Sequence, residues 1–228
     1  MASNKIIFFL FPSLFLLQAV SAVEYTVTND AIGTLGGIRF DNEIGVDYSQ
    51  QILAAATDFI WNIFRQSSDA DRKNVQKVSL FIDKNYDGVA FANNDEIHVG
   101  ADYIANYDGD LKEGNNRTGV LYHEMTHIWQ WNGNPSAPGG LIEGIADYVR
   151  LKSGYIPGHW VGPGGGSRWD QGYDVTARFL DYLEGLRSGF VAELNRRLKN
   201  GYSADYFLQL LGKPVDRLWA DYKAAFGN

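Results

Sequence analysis

The stretch Val120-Leu121-Tyr122-His123-Glu124-Met125-Thr126-His127-Ile128-Trp129 decides how this chain is read. At its centre is an H-E-x-x-H pentapeptide. Residues four apart share one face of a helix, so His123 and His127 project together, about one turn apart. That suits two ligands of one Zn²⁺. Glu124 points beside the metal, where it can take a proton from an activated water. Val120, Leu121, Ile128 and Trp129 flank the motif at helical apolar spacing, so a half-buried helix is predicted over Gly119 to Trp131. The pentapeptide alone is a weak signal, because it arises by chance in unrelated chains. Its surroundings carry the reading.

Sixteen residues after His127 comes Glu143-Gly144-Ile145-Ala146-Asp147, on a second predicted helix, Leu141 to Lys152. Glu143 there is either a third ligand or a solvated helix-start glutamate favoured by the helix dipole. Its neighbours Leu141, Ile142, Ile145 and Ala146 are apolar, which favours the ligand. Asp147 and then His159 are rival third ligands. With Glu143 bound, Asp147 can accept the N–H of His123 or His127 and orient it. Three protein ligands leave one position open, the layout of a hydrolytic zinc site. The third-histidine pattern H-E-x-x-H-x-x-G-x-x-H fails, since Gln130 stands at its glycine position and Gly133 at its histidine position.

A tetrahedral intermediate needs a hydrogen-bond donor for its oxyanion. Tyr173 opens the helix that follows a Gly-rich loop, 158–172, and is one candidate. Tyr148, His159 and Arg168 are others. His159, between Gly158 and Trp160, suits a substrate or oxyanion contact. His98, in a predicted strand, reads as a paired structural histidine or as part of a substrate-binding edge strand.

Working outward, Lys5 followed by the apolar run Ile6 to Val20 and by Val20-Ser21-Ala22 reads as a secretory signal peptide cut after Ala22. The run is too short, and too interrupted by Pro12, for a membrane span of roughly 20 residues. A single domain over 23–228 follows, with no membrane association after cleavage, and a monomer is expected. The net charge of −7 argues against a nucleic-acid role, which needs a basic footprint. With no cysteine, the fold rests on its core and its metal. Asn116-Arg117-Thr118 is a glycosylation sequon, whereas Pro135 disqualifies Asn134. Asp83 to Gly88 matches the first half of a calcium loop, but Asn94 stands where the bidentate glutamate belongs, so a polar hairpin turn is the better reading.

Strands are predicted at Val23 to Thr28, Val78 to Ile82, Gly88 to Phe91 and Glu96 to Val99, with a break at Thr34 to Gly37 and a helix over Asp47 to Gln66. Thr118 is a candidate N-cap for the motif helix. After it come helices only: Tyr173 to Leu186, Phe190 to Leu198, Ala204 to Leu211 and Pro214 to Phe226. The class is α+β, with strands and a helix first and a helical C-terminal half.

Laid out this way, the chain resembles the plant basic secretory protein family. Tyr25-Thr26-Val27-Thr28-Asn29, Asp71-Arg72-Lys73-Asn74-Val75, Glu96-Ile97-His98-Val99 and Trp169 to Leu180 carry the resemblance. Its most specific runs are Leu121 to Gly133 and Ala137 to Leu151. The family is regarded as zinc metallopeptidase-like, secreted and linked to plant defence, with a zincin core similar to the gluzincins. The resemblance implies Glu143 as ligand and Asp147 as orienter, in a gluzincin-like E-x-x-x-D. It also implies Tyr173 as a transition-state tyrosine, and a peptide or protein as substrate. This chain departs from the family name in being acidic, with a pI of about 5.0. The alternative is a non-catalytic secreted defence or cell-wall binding protein on the same scaffold. Turnover of peptides by the zinc-loaded protein separates the two.

Overall fold

The computed structural model describes residues 23–108 and 115–227, with backbone alone for 115–117. The expected signal peptide and its cleavage site lie outside the described residues, as does the Asn116 side chain. Strands β1 (Glu24–Asn29), β2 (Lys77–Asp83), β3 (Ala90–Asn93) and β4 (Glu96–Gly100) form one sheet in the order β1-β2-β4-β3. The first three neighbours run parallel and β3 pairs antiparallel to β4. Helices α1 (Leu35–Arg39) and α2 (Val46–Ile63) lie between β1 and β2, joined by a π-helical turn at Phe40–Ile44. A short α3 (Ala101–Asn106) follows β4. Then come α4 (Asn115–Trp129), α5 (Gly139–Ser153), α6 (Tyr173–Leu186), α7 (Phe190–Leu198), α8 (Asp205–Leu211) and α9 (Val215–Ala225). This is the expected α+β order, with a helical C-terminal half.

The sheet's alternation explains its two faces. Val78, Leu80, Ile82, Ile97 and Val99 point inward and are buried with Leu53, Ala56 and Ile60 of α2 and Leu121, Met125, Ile128 and Trp129 of α4. Trp129 meets Trp61 edge-on at 5.0 Å and its indole N–H donates to Thr57. On the outer face His98 is stacked between Phe81 and Phe91, with ring centroids 5.0 and 4.6 Å away.

Several expectations need correcting. Thr34 does not merely break β1; its side chain accepts from Gly37 N and caps α1. Asp83 to Gly88 is not a hairpin turn, because β4 lies between the two strands it joins. The hairpin is β3–β4, turning at Asn94 and Asp95 with φ of 51° and 61°, which two-residue turns between twisted strands require. Thr118 is not an N-cap: α4 already runs from Asn115, and Thr118 is buried inside it. α4 ends at Trp129 and not Trp131, before Gly133 at φ 73°.

Candidate active site

α4 and α5 pack face to face and bring the two motifs together. Gly144 lets α6 approach α5 and Gly140 lets the loop before α6 do so, since a Cβ would collide with Thr176 and with Asp170 O respectively. Thr176 Oγ1 accepts from Gly172 N and donates to Trp169 O, both at 2.8 Å. That fixes the chain where the Gly-rich loop enters α6. Tyr173 takes up the strain there at φ 46°, and its ring stacks over His123, 6.0 Å between centroids.

Three donor atoms converge. His123 Nε2 lies 3.1 Å from both Glu143 Oε2 and His127 Nε2, and His127 Nε2 lies 3.6 Å from the same Oε2. His123 Nδ1 is 2.6 Å from Asp147 Oδ1, in a buried contact. An ionised Asp147 can only accept, so Nδ1 carries a proton, and in the neutral ring Nε2 presents its lone pair. That lone pair faces a second imidazole nitrogen and a carboxylate, an arrangement that calls for a cation. Donors around a tetrahedral zinc, at bonds of about 2.0–2.2 Å, stand roughly 3.3–3.6 Å apart. The residues present therefore fit such an ion. Among the described residues, His123, His127 and Glu143 form the one group of this kind.

The electrostatics follow from this crowding. Burial alone pulls the His123 imidazole down, but its bonds to Asp147 and Glu143 outweigh that and push its pKa up to about 10. Burial likewise raises the Glu143 carboxyl, yet the two histidines hold it far below the usual carboxylate range. Glu124 is itself buried. That desolvation, with the nearby Glu143 and Asp147, raises its pKa in spite of the two histidines. A carboxylate tuned upward is a better proton acceptor near neutral pH. Burial, then Glu143, Asp147 and Glu124, raise the Tyr173 phenol, so it keeps its proton.

The groups open onto a cleft of about 820 Å³. One rim is β3, the sheet edge. Gly100 N bonds Val89 O, and pairs alternate along an antiparallel ladder. The backbone groups of Ala90 and Ala92 therefore point away from β4, toward the cleft they line. Tyr86 OH donates to Ala90 O at 3.3 Å. The other walls include Arg150, which lies over Trp160, with Val120 and His159, and Lys73 and Gln130, which both reach His127, with Asn132.

Tyr173 and His159 thus line the cleft, His159 at an exposed position. Tyr148 is buried in the core, and Arg168 is exposed and paired with Asp170; neither lines the cleft. His98 sits on an inner strand, its Nδ1 2.7 Å from Asp83, which is the paired structural reading. The rival ligand Asp147 turns its carboxylate to Nδ1 of His123, not to the convergence point.

Two further groups lie near the site. Gln130 is buried, its Nε2 2.6 Å from His127 Nδ1, while its Oε1 has no partner among the described residues. Turning the amide over exchanges two atoms of nearly equal size and sets the acceptor against Nδ1–H. Tyr86 lies close enough for Glu124 to help burial raise its pKa. Gln130 could have been found from its spacing, three residues after His127 on the same face. Tyr86 stands in a loop whose place depends on the sheet order.

A known family matches this chain over most of its length. The family described as "Peptidase of plants and bacteria" matches residues 20–222. The chain belongs to that family, which is a family of proteases, and the likeness to basic secretory proteins is thereby shown. The "Basic secretory protease" of Boswellia serrata is 49% identical over 59 residues, 26% of this chain and 67% of that protein. No solved structure matches. Among the described residues, no helix is long and apolar enough to cross a membrane.

Proposed function

We propose that this chain is a zinc-dependent peptidase acting outside the cell, with His123, His127 and Glu143 as the metal ligands. The observation that carries it is the convergence of three donor atoms, all within 4.8 Å of one another, beside the buried Glu124. Zinc, when bound there, supplies a Lewis acid and makes water nucleophilic near neutral pH. Glu124 takes the proton of the attacking water and passes it to the leaving amine. Asp147 holds the His123 ring by its Nδ1–H, and Gln130 holds the His127 ring in the same way. Tyr173, protonated and stacked over His123, donates to the developing oxyanion. His159 contacts substrate from the exposed rim. An extended peptide adds to the open edge of β3 through Ala90 and Ala92.

Secretion is supported by the apolar leader and by the name of the Boswellia relative. A role in plant defence in the apoplast is supported by the family resemblance, and a glycan at Asn116 by the sequon. The peptidase reading is tested by chelation followed by stepwise zinc addition. Hydrolysis of an unfolded protein substrate is expected to disappear and to return at about one zinc per chain. Hydrolysis that survives complete metal removal contradicts it.

A further inference from the structure

Lys73 belongs to the run Asp71 to Val75, which the site described so far leaves without a part. It precedes β2, at the end of the cleft where α4 finishes and the β3–β4 turn lies. Its ammonium donates a long hydrogen bond to His127 O at 3.4 Å, a neutral acceptor and not a counter-charge. It lies 5.8 Å from the Trp131 ring, which Lys199 approaches from 5.1 Å. Among the described residues no carboxylate comes within 4.0 Å of its Nζ. Its side chain is half-buried, and Asp95 attracts it from beyond contact distance. A cation taken partly out of water costs free energy unless a counter-charge meets it. Among the described residues none is in contact, and the amides Gln130 and Asn132 line the same cleft. Of the acidic lining groups, Glu143 and Asp147 contact His123, Glu124 follows it on α4, and Asp174 accepts from Val161 N, so none of them pairs with Lys73.

We propose that Lys73 is a specificity residue that receives an acidic side chain of the substrate, on the N-terminal side of the scissile bond. The inference rests on the peptidase reading and names its substrate class. Its polarity comes from the sheet. β3 runs from Val89 toward Asp95, and Lys73 lies at the Asp95 end. A peptide paired antiparallel to β3, the more stable pairing, has its N-terminal part there. At about 3.3 Å per residue, the acidic residue falls within about three positions of the cut. The net charge of −7 does not prevent this, because fields beyond about 8–10 Å are screened at ordinary salt.

The test compares peptides that differ only by Glu or Gln at each of the three positions before the cut. With zinc-loaded wild type, kcat/KM for the best Glu peptide is expected to exceed its Gln partner about tenfold, the scale of one well-placed charge contact. Lys73→Gln should bring the ratio to about one and Lys73→Glu should invert it. Lys73→Arg should keep it, separating charge recognition from a packing role. A ratio near one in wild type, a ratio unchanged in Lys73→Gln, or a preference confined to the C-terminal side overturns the proposal. A second arm measures binding of the same peptides to zinc-loaded Glu124→Gln protein, with and without Lys73→Gln. If wild type cleaves nothing, the peptidase reading fails while this arm still decides Lys73: tighter binding of Glu peptides that depends on Lys73 supports it, and equal binding overturns it.

Discussion

Two histidine–aspartate pairs in this molecule have nearly the same geometry and opposite surroundings. His98 Nδ1 lies 2.7 Å from Asp83, and His123 Nδ1 lies 2.6 Å from Asp147. The far side of His98 meets only a loose, half-exposed Glu96 at 3.6 Å, and its faces are filled by Phe81 and Phe91. The far nitrogen of His123 meets a second imidazole and a carboxylate, both at 3.1 Å. A carboxylate behind a histidine is therefore not a site. What distinguishes α4 and α5 is that other donors share the opposite side of the ring.

The largest break in this contrast comes from removing a converging donor. Glu143→Ala is expected to lower zinc affinity by more than the roughly 10–100-fold that loss of an orienting partner costs. Competition with a chelator of known affinity measures it. Asp147→Asn should cost that 10–100-fold itself, and Asp83→Asn should leave zinc affinity unchanged. Equal effects of the two would erase the distinction. His98→Leu should instead lower stability, by about 0.5–1.5 kcal/mol for the lost aromatic stacking, read from denaturant unfolding with zinc binding intact. Gln130→Leu should weaken zinc less than Asp147→Asn does, because a neutral amide polarises an imidazole less than a carboxylate.

The smallest effect to measure is a proton. The metal-free His123 has its pKa raised from 6.5 to about 10, so it carries two ring protons at pH 8. Its contribution to the stability of the metal-free fold is fully present below about 6.5 and is lost as pH rises through about 10. Coordination requires the neutral ring. Zinc binding at pH 8 should therefore release about one proton, seen as a dependence of the binding enthalpy on the buffer's ionisation enthalpy. No such dependence would show that His123 is neutral before the metal arrives.

The helical parts of this contrast were readable from residue order. His123, His127, Glu143 and Asp147 are spaced so that a 3.6-residue period sets each pair on one face, and the apolar neighbours show which face is buried. Tyr173 could be placed because a Gly-rich loop precedes it. What local pattern does not contain is sheet order: that β4 slips between β2 and β3 makes β3 the rim of the cleft and puts His98 inside the sheet. Lys73 reaches the cleft, and Tyr86 comes near Glu124, through that order. Gln130 stands in the sequence as the residue that breaks a third-histidine motif, and its spacing of three from His127 is the signal that sets its amide on the same face. The short α1 and α3 give too few turns for a periodic signal, and Thr118 looked like a cap because α4 begins with polar residues.

The central claim is that α4 and α5 hold a catalytic metal and that Glu124 works beside it without holding it. Metal content and peptide hydrolysis, measured together on wild type and Glu124→Gln, test it most directly. About one zinc in each protein, with hydrolysis reduced roughly 10²–10⁴-fold in the variant, is the predicted result. Full hydrolysis by Glu124→Gln, or wild-type protein that cleaves peptides without binding zinc, would contradict it.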